Sequence, residues 1–123
     1  MLGEYREGEG GMKVAVPVKT ISTLNAREHW SKKSARAKLH RSQAALALRV
    51  ACVPRAPATA VVTITRIAPR PLDGDNLQGS LKSVRDGVAD WLQIDDGSAR
   101  VEWRYAQRKG APKTYSVEVE VTS

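Results

Sequence analysis

Val14, Val16 and Val18 alternate with Lys13, Ala15 and Pro17, which is the two-residue period of a half-buried strand. Pro17 has no amide to donate, so this strand is expected toward a sheet edge. From about Ala26 to Cys52 the chain is rich in Ala, Leu, Lys and Arg and free of Gly and Pro, which favours a long helix, and Pro54 and Pro57 end it. Thr59 to Ala68 is β-branched and alternating, a second strand, closed by Pro69 and Pro71. At Asp75 the period becomes helical: Leu77, Leu81, Val84, Val88 and Trp91 share one side as far as Leu92. Asp95-Asp96-Gly97 reads as a turn, and VEWRYAQ and TYSVEVEV around Lys109-Gly110 read as a terminal hairpin. The predicted order is β-α-β-α-β-β without an internal repeat. This is an α+β single domain, a small mixed sheet with two helices packed on it.

The 123 residues fit one core. Residues 1–11, MLGEYREGEGG, hold four glycines, three glutamates and little that is apolar, so they are expected to form a disordered leader ahead of a domain spanning 12–123. Met12, where the apolar pattern begins, is an alternative start of translation.

A formal charge of +7 predicts attraction to a polyanion, with nucleic acid the leading candidate and a merely basic soluble protein the plain alternative. Cys52 stands alone, so the chain can form neither an internal disulfide nor a thiolate zinc site, and a reducing cytoplasm is expected. No apolar run has the length of a membrane helix, so no membrane contact is expected. The glycine-rich loop with Lys-Ser or Lys-Thr that cradles nucleotide phosphates is absent, and no organic cofactor is implied.

All six aspartates lie between Asp73 and Asp96, while the glutamates sit elsewhere. Such a cluster repels itself unless a cation neutralises it, and Mg²⁺ takes hard carboxylate oxygens together with water and phosphate. Asp73 and Asp75, two apart, share a side in an extended segment; equally, Asp75 could cap the following helix and Asp73 the turn before it. On that helix Gly79, Lys82 and Asp86 fall within about 40° of Asp75, opposite the apolar stripe. Gly79 is costly in a helix interior, which hints at a close approach, whereas Lys82 and Asp86 have the spacing of an ordinary surface pair. Asp95-Asp96 is either a plain turn or the other half of a metal site.

The segment LDGDNLQGSLKSVRDGVADWLQIDDG resembles the RusA-type Holliday junction resolvases and their phage and prophage relatives. Their pattern is Asp-x-Asp-Asn-Leu, a helix bearing Lys and Asp, then Asp-Asp about twenty residues on. The likeness follows element order from Met12 to Ser123, and its specific part is Asp73 to Gly97. The resemblance implies that Asp73, Asp75 and Asp96 are catalytic and hold Mg²⁺, with Mn²⁺ as a substitute and Asp95 as a neighbouring ligand. The family's lysine falls at Gly79 here, so Lys82, one turn later on the same face, takes that role or the role is lost. It further implies a homodimer that nicks opposed strands of four-way junctions in recombination and repair, by hydrolysis of the phosphodiester.

Arg27, Lys32, Lys33, Arg36, Lys38, Arg41 and Arg49 crowd the first helix and its approach against a single Glu28. Lys32, Lys33 and Arg36 are the expected DNA contacts, since Lys and Arg on phosphates give sequence-independent affinity. Asn25, His29 and Trp30 precede them; Trp30 is read as core or dimer packing, with stacking on a base as the alternative. Two other readings stay open: a noncatalytic basic nucleic-acid-binding module in which the acids are caps, and a nuclease for other branched DNA.

Overall fold

Both apolar periods in the sequence resolve onto a single face of a single sheet. The computed structural model describes residues 5–8, 11–20, 30–51, 60–94 and 99–122. Its elements are β1 (Tyr5–Gly8), β2 (Gly11–Val16), α1 (Trp30–Ala51), β3 (Ala60–Ala68), α2 (Gly74–Leu92), β4 (Val101–Lys109) and β5 (Ser116–Thr122). The strands form one mixed sheet in the order β1-β2-β5-β3-β4, in which β3 and β4 pair in parallel and the other pairs are antiparallel. The α+β architecture with two helices is as the periodicities predict.

Three local expectations are corrected. Part of the supposed leader is paired: Tyr5 to Gly8 lie opposite Val14 to Gly11 in a hairpin, with Gly11 itself in β2. Backbone groups make this pairing, and composition does not report on them; residues 1–4 and 9–10 lie outside the described residues. β2 is not an edge strand, because Pro17 falls just beyond its end at Val16 and costs the ladder nothing. The terminal hairpin does not form either. β3 lies between β4 and β5, with Ile67 opposite Ser116 and Ala68 opposite Lys109, so the turn at Gly110 carries the chain across the end of β3, where Gly110 N donates to Ala68 O at 2.9 Å.

Alternation along the strands puts Val14, Val119, Ile64 and Tyr105 in one cross-strand row, and Val62 beside Val121 and Trp103 in the next. On the same face, Leu77, Leu81, Val84, Val88, Trp91 and Leu92 of α2 and Ala44, Ala47 and Leu48 of α1 complete the core. Each Val or Leu buried this completely contributes about 1.5–3 kcal/mol. Trp103 and Tyr105 are half-buried against this core, and Arg85 reaches them from α2: its guanidinium lies 4.8 Å over the Trp103 ring and its Nη1 donates to the Tyr105 hydroxyl at 2.9 Å. Trp30, expected in the core or an interface, is 74% exposed in the single chain.

The two helices meet closely at Gly87, where a Cβ would collide with the Arg41 carbonyl oxygen and come within 2.8 Å of the Ala44 Cβ. One turn later the Arg41 guanidinium clasps Asp90 with two bonds, Nε to Oδ2 at 2.6 Å and Nη2 to Oδ1 at 2.8 Å, and this holds the Asp90 carboxyl below its ordinary pKa. Among the described residues no helix is long and apolar enough to cross a membrane.

Candidate functional site

α2 begins at an exposed acidic turn. Asp73, in extended conformation (φ −69°, ψ 170°), is its N-cap: Oδ1 accepts from Asn76 N at 3.0 Å and from Asn76 Nδ2 at 2.8 Å. Asp75, in the first turn, is therefore not the cap, and its charge sits favourably at the positive end of the helix dipole. Both aspartates are exposed. The two capping bonds fall on the same oxygen of Asp73, so Oδ2 takes no part in them. Water-exposed, hard carboxylate oxygens are the donor type that Mg²⁺ takes, so these two residues fit such an ion chemically.

Beyond this turn the α2 face named from the sequence forms one wall of a groove of roughly 280 Å³. Gly79, Lys82, Ser83 and Asp86 line it from α2, and Lys33 and Arg36 from α1. Two groups picked separately from the sequence, the expected DNA contacts on α1 and the substitute lysine on α2, thus share a surface. Asp75 is one helical turn before Gly79, a spacing of about 6 Å between neighbouring side-chain roots. Lys82 lies 3.4 Å from Asp86 with its side chain 73% exposed, the surface pair that the spacing suggests. Lys32 is exposed on α1 but does not line the groove. His40, buried at the floor, is held below its ordinary pKa first by desolvation and then by the Arg36 charge, and so stays neutral near pH 7.

Asp95 and Asp96 lie outside the described residues. Their described flanks, however, stand far from Asp73. Ile94 N bonds Ala89 O at 3.2 Å at the closing end of α2, a helix of 19 residues and therefore about 28 Å long. Arg100 O accepts from Ala60 N at 2.8 Å, at the opening end of β3, whereas Asp73 follows the other end of that strand. Among the described residues no three His, Cys, Asp or Glu side chains gather to hold a metal.

Sequence reasoning missed two features that shape this end of the molecule. Gln107 pins the strand-to-helix segment, with Nε2 donating to Leu72 O at 2.7 Å and Oε1 accepting from Leu72 N at 2.9 Å. Arg66 occupies a helix-facing position of β3 and is only 5% exposed; an arginine interrupting an apolar alternation was the signal available for it. In comparison with known proteins, the chain matches no protein-family model and no curated protein.

Proposed function

We propose that this chain is a Mg²⁺-dependent, structure-selective endodeoxyribonuclease of the cytoplasm that nicks opposed strands of four-way DNA junctions, working as a homodimer. The observation that carries the reading is the shared groove: Lys33 and Arg36 of α1 share it with Lys82 of α2, about two helical turns from the exposed Asp73-Asp75 turn. Cations on a phosphate path beside hard oxygen donors are what hydrolysis of a phosphodiester needs. When bound, Mg²⁺ would supply charge neutralisation and an acidified water. Lys82 steadies the charge on the phosphate.

Ligands of one ion each lie about 2 Å from it. Because Ile94 and Arg100 stand at the opposite end of the α2 layer from Asp73, the site in this reading takes Asp73 and Asp75 from one copy and Asp95-Asp96 from a second. Leu39, Leu46 and Val50 support association: they are 55%, 45% and 63% exposed, and their spacing puts them within about 40° of one another on α1, an apolar stripe that a second copy would cover.

The test is cleavage of a synthetic four-way junction in Mg²⁺ by Asp75→Asn, by Asp96→Asn, and by the two variants mixed and allowed to exchange subunits. Each alone is expected to be inactive. The mixture regains nicking, because one site of each mixed dimer keeps all its acids. No recovery on mixing removes the shared site, and cutting by Asp75→Asn at the parent rate removes the nuclease. A panel containing flaps and linear duplex separates a junction enzyme from a nuclease for other branched DNA.

The noncatalytic nucleic-acid-binding reading has one observation in its favour: Asp73 is already employed as a helix cap. It predicts salt-sensitive binding without cleavage in any divalent metal.

A further inference from the structure

Arg66 is a buried cation with no carboxylate partner among the described residues. On β3 it stands in the helix-facing row between Val117 and Gln107, and neighbouring positions of that face, Val62 and Ile64, are fully buried valine and isoleucine. Its Nε donates to Thr20 Oγ1 at 2.9 Å and its Nη1 to the Arg70 carbonyl at 2.7 Å, both neutral acceptors. Ion pairs among the described residues engage Lys13, Arg41, Lys82, Arg104 and Arg108, and none involves Arg66. Burial disfavours its charge and pulls its pKa down, yet a guanidinium keeps its proton. A buried ion of this kind is costly unless something supplies the missing charge.

The group also opens onto space. Arg66, Ala68, Arg70, Pro71, Gln107, Arg108 and Lys109 line a pocket of roughly 220 Å³ beyond the carboxyl ends of the parallel strands β3 and β4. A water molecule's share of liquid volume is about 30 Å³, so the space admits a much larger group. Four of the seven residues are cationic, and among the described residues only Arg108 of these four has a carboxylate partner, Glu118 at 3.5 Å. Two of the five guanidinium N–H groups of Arg66 are used by the bonds above, which leaves donors for an anion.

We infer that this pocket binds a phosphoryl group, with Arg66 as its buried anchor and Arg70 and Lys109 closing over it. In the nuclease reading, on which this assignment of the ligand's source rests, the group is a backbone phosphate neighbouring the one to be cut. Pro71 lines the pocket and Asp73 follows two residues later, at most about 7 Å of chain away.

The experiment follows the arginine Nε–Hε signals of the full chain by NMR in metal-free solution, titrating inorganic phosphate against chloride at matched ionic strength. It uses Asp75→Asn, so that cleavage plays no part. The Arg66 signal, identified by its loss in Arg66→Lys, is expected to shift saturably. Replacing the exposed Arg70 and Lys109 together by alanine weakens the apparent affinity by about tenfold or more while leaving Tm unchanged. That double variant carries the test even if Arg66→Lys fails to fold. A flat Arg66 signal, or a double variant that titrates like the parent, overturns the site. Displacement of phosphate by a short single-stranded oligonucleotide assigns the pocket to a nucleic-acid backbone; saturable phosphate binding without displacement assigns it to free phosphate. A chain that binds phosphate here but never cuts DNA in Mg²⁺ ends the nuclease reading and leaves this site standing.

Discussion

The Gln107 carboxamide grips Leu72 through both polar groups of one backbone residue, donating to its carbonyl at 2.7 Å and accepting from its amide at 2.9 Å. A side chain of β4 thereby fixes the segment that delivers Asp73 to the start of α2. Both bonds are exposed to solvent, so losing the pair in Gln107→Ala costs about 1 kcal/mol rather than a full desolvation penalty. The expected result is a lower denaturant midpoint with an unchanged slope, together with faster hydrogen exchange at the Leu72 amide. Unaltered exchange there would show that the clamp does not order the segment.

Asp73 carries a structural role that can be separated from its charge. Asn caps a helix about as well as Asp, whereas Ala does not, so Asp73→Ala is expected to lose about 1 kcal/mol and Asp73→Asn to stay near the parent. Both are expected to abolish the proposed cleavage. If Asp73→Asn folds normally and cuts junctions at the parent rate in Mg²⁺, the residue is a cap only.

Gly87 sets how closely α1 can approach α2. Ala in place of Gly gains about 1 kcal/mol of helix propensity, but the new methyl meets the Arg41 carbonyl and Ala44, and overpacking of this kind costs about 1–3 kcal/mol. Because part of the obstacle is backbone, the collision wins, and thermal unfolding of Gly87→Ala should begin at lower temperature. A variant as stable as the parent would mean that the helices part without penalty.

Protonation of His40 opposes folding. Its folded pKa lies below the ordinary 6.5, chiefly through desolvation, so as pH falls below 6.5 the unfolded chain binds the proton first. The stability this group contributes is complete above 6.5 and is lost as pH falls through the folded pKa. Between about pH 7.5 and 5.5, the unfolding free energy of the parent should therefore fall more steeply than that of His40→Gln. Parallel pH profiles would mean that His40 titrates alike in both states.

Much of this protein was legible because periodicity reports on burial within one element. The stripe Leu77, Leu81, Val84, Val88 and Trp91 identified both the extent of α2 and its inner face, and all five are buried. The alternation at Val14 and Val16, and from Ala60 to Ala68, marked two strands and their core-facing residues in the same way. Spacing alone placed Gly79, Lys82 and Asp86 on one helical face, because a helix repeats the same geometry wherever it is put.

The terminal strands illustrate what such local signals omit. VEWRYAQ and TYSVEVEV alternate as a hairpin's strands would, yet β3 pairs between them, since a period records which side is apolar and not which strand lies alongside. The meeting of Lys33 and Arg36 with Lys82, the place of Arg66 beside a cationic pocket, and the separation of Ile94 from Asp73 by the length of α2 are likewise decided in three dimensions. The sequence by itself determined which elements form and which way they face, through backbone sterics and the burial of side chains a few residues apart. Tertiary structure alone decided which charges became neighbours, because those approaches depend on the path of the chain between distant segments, and no local period encodes that path.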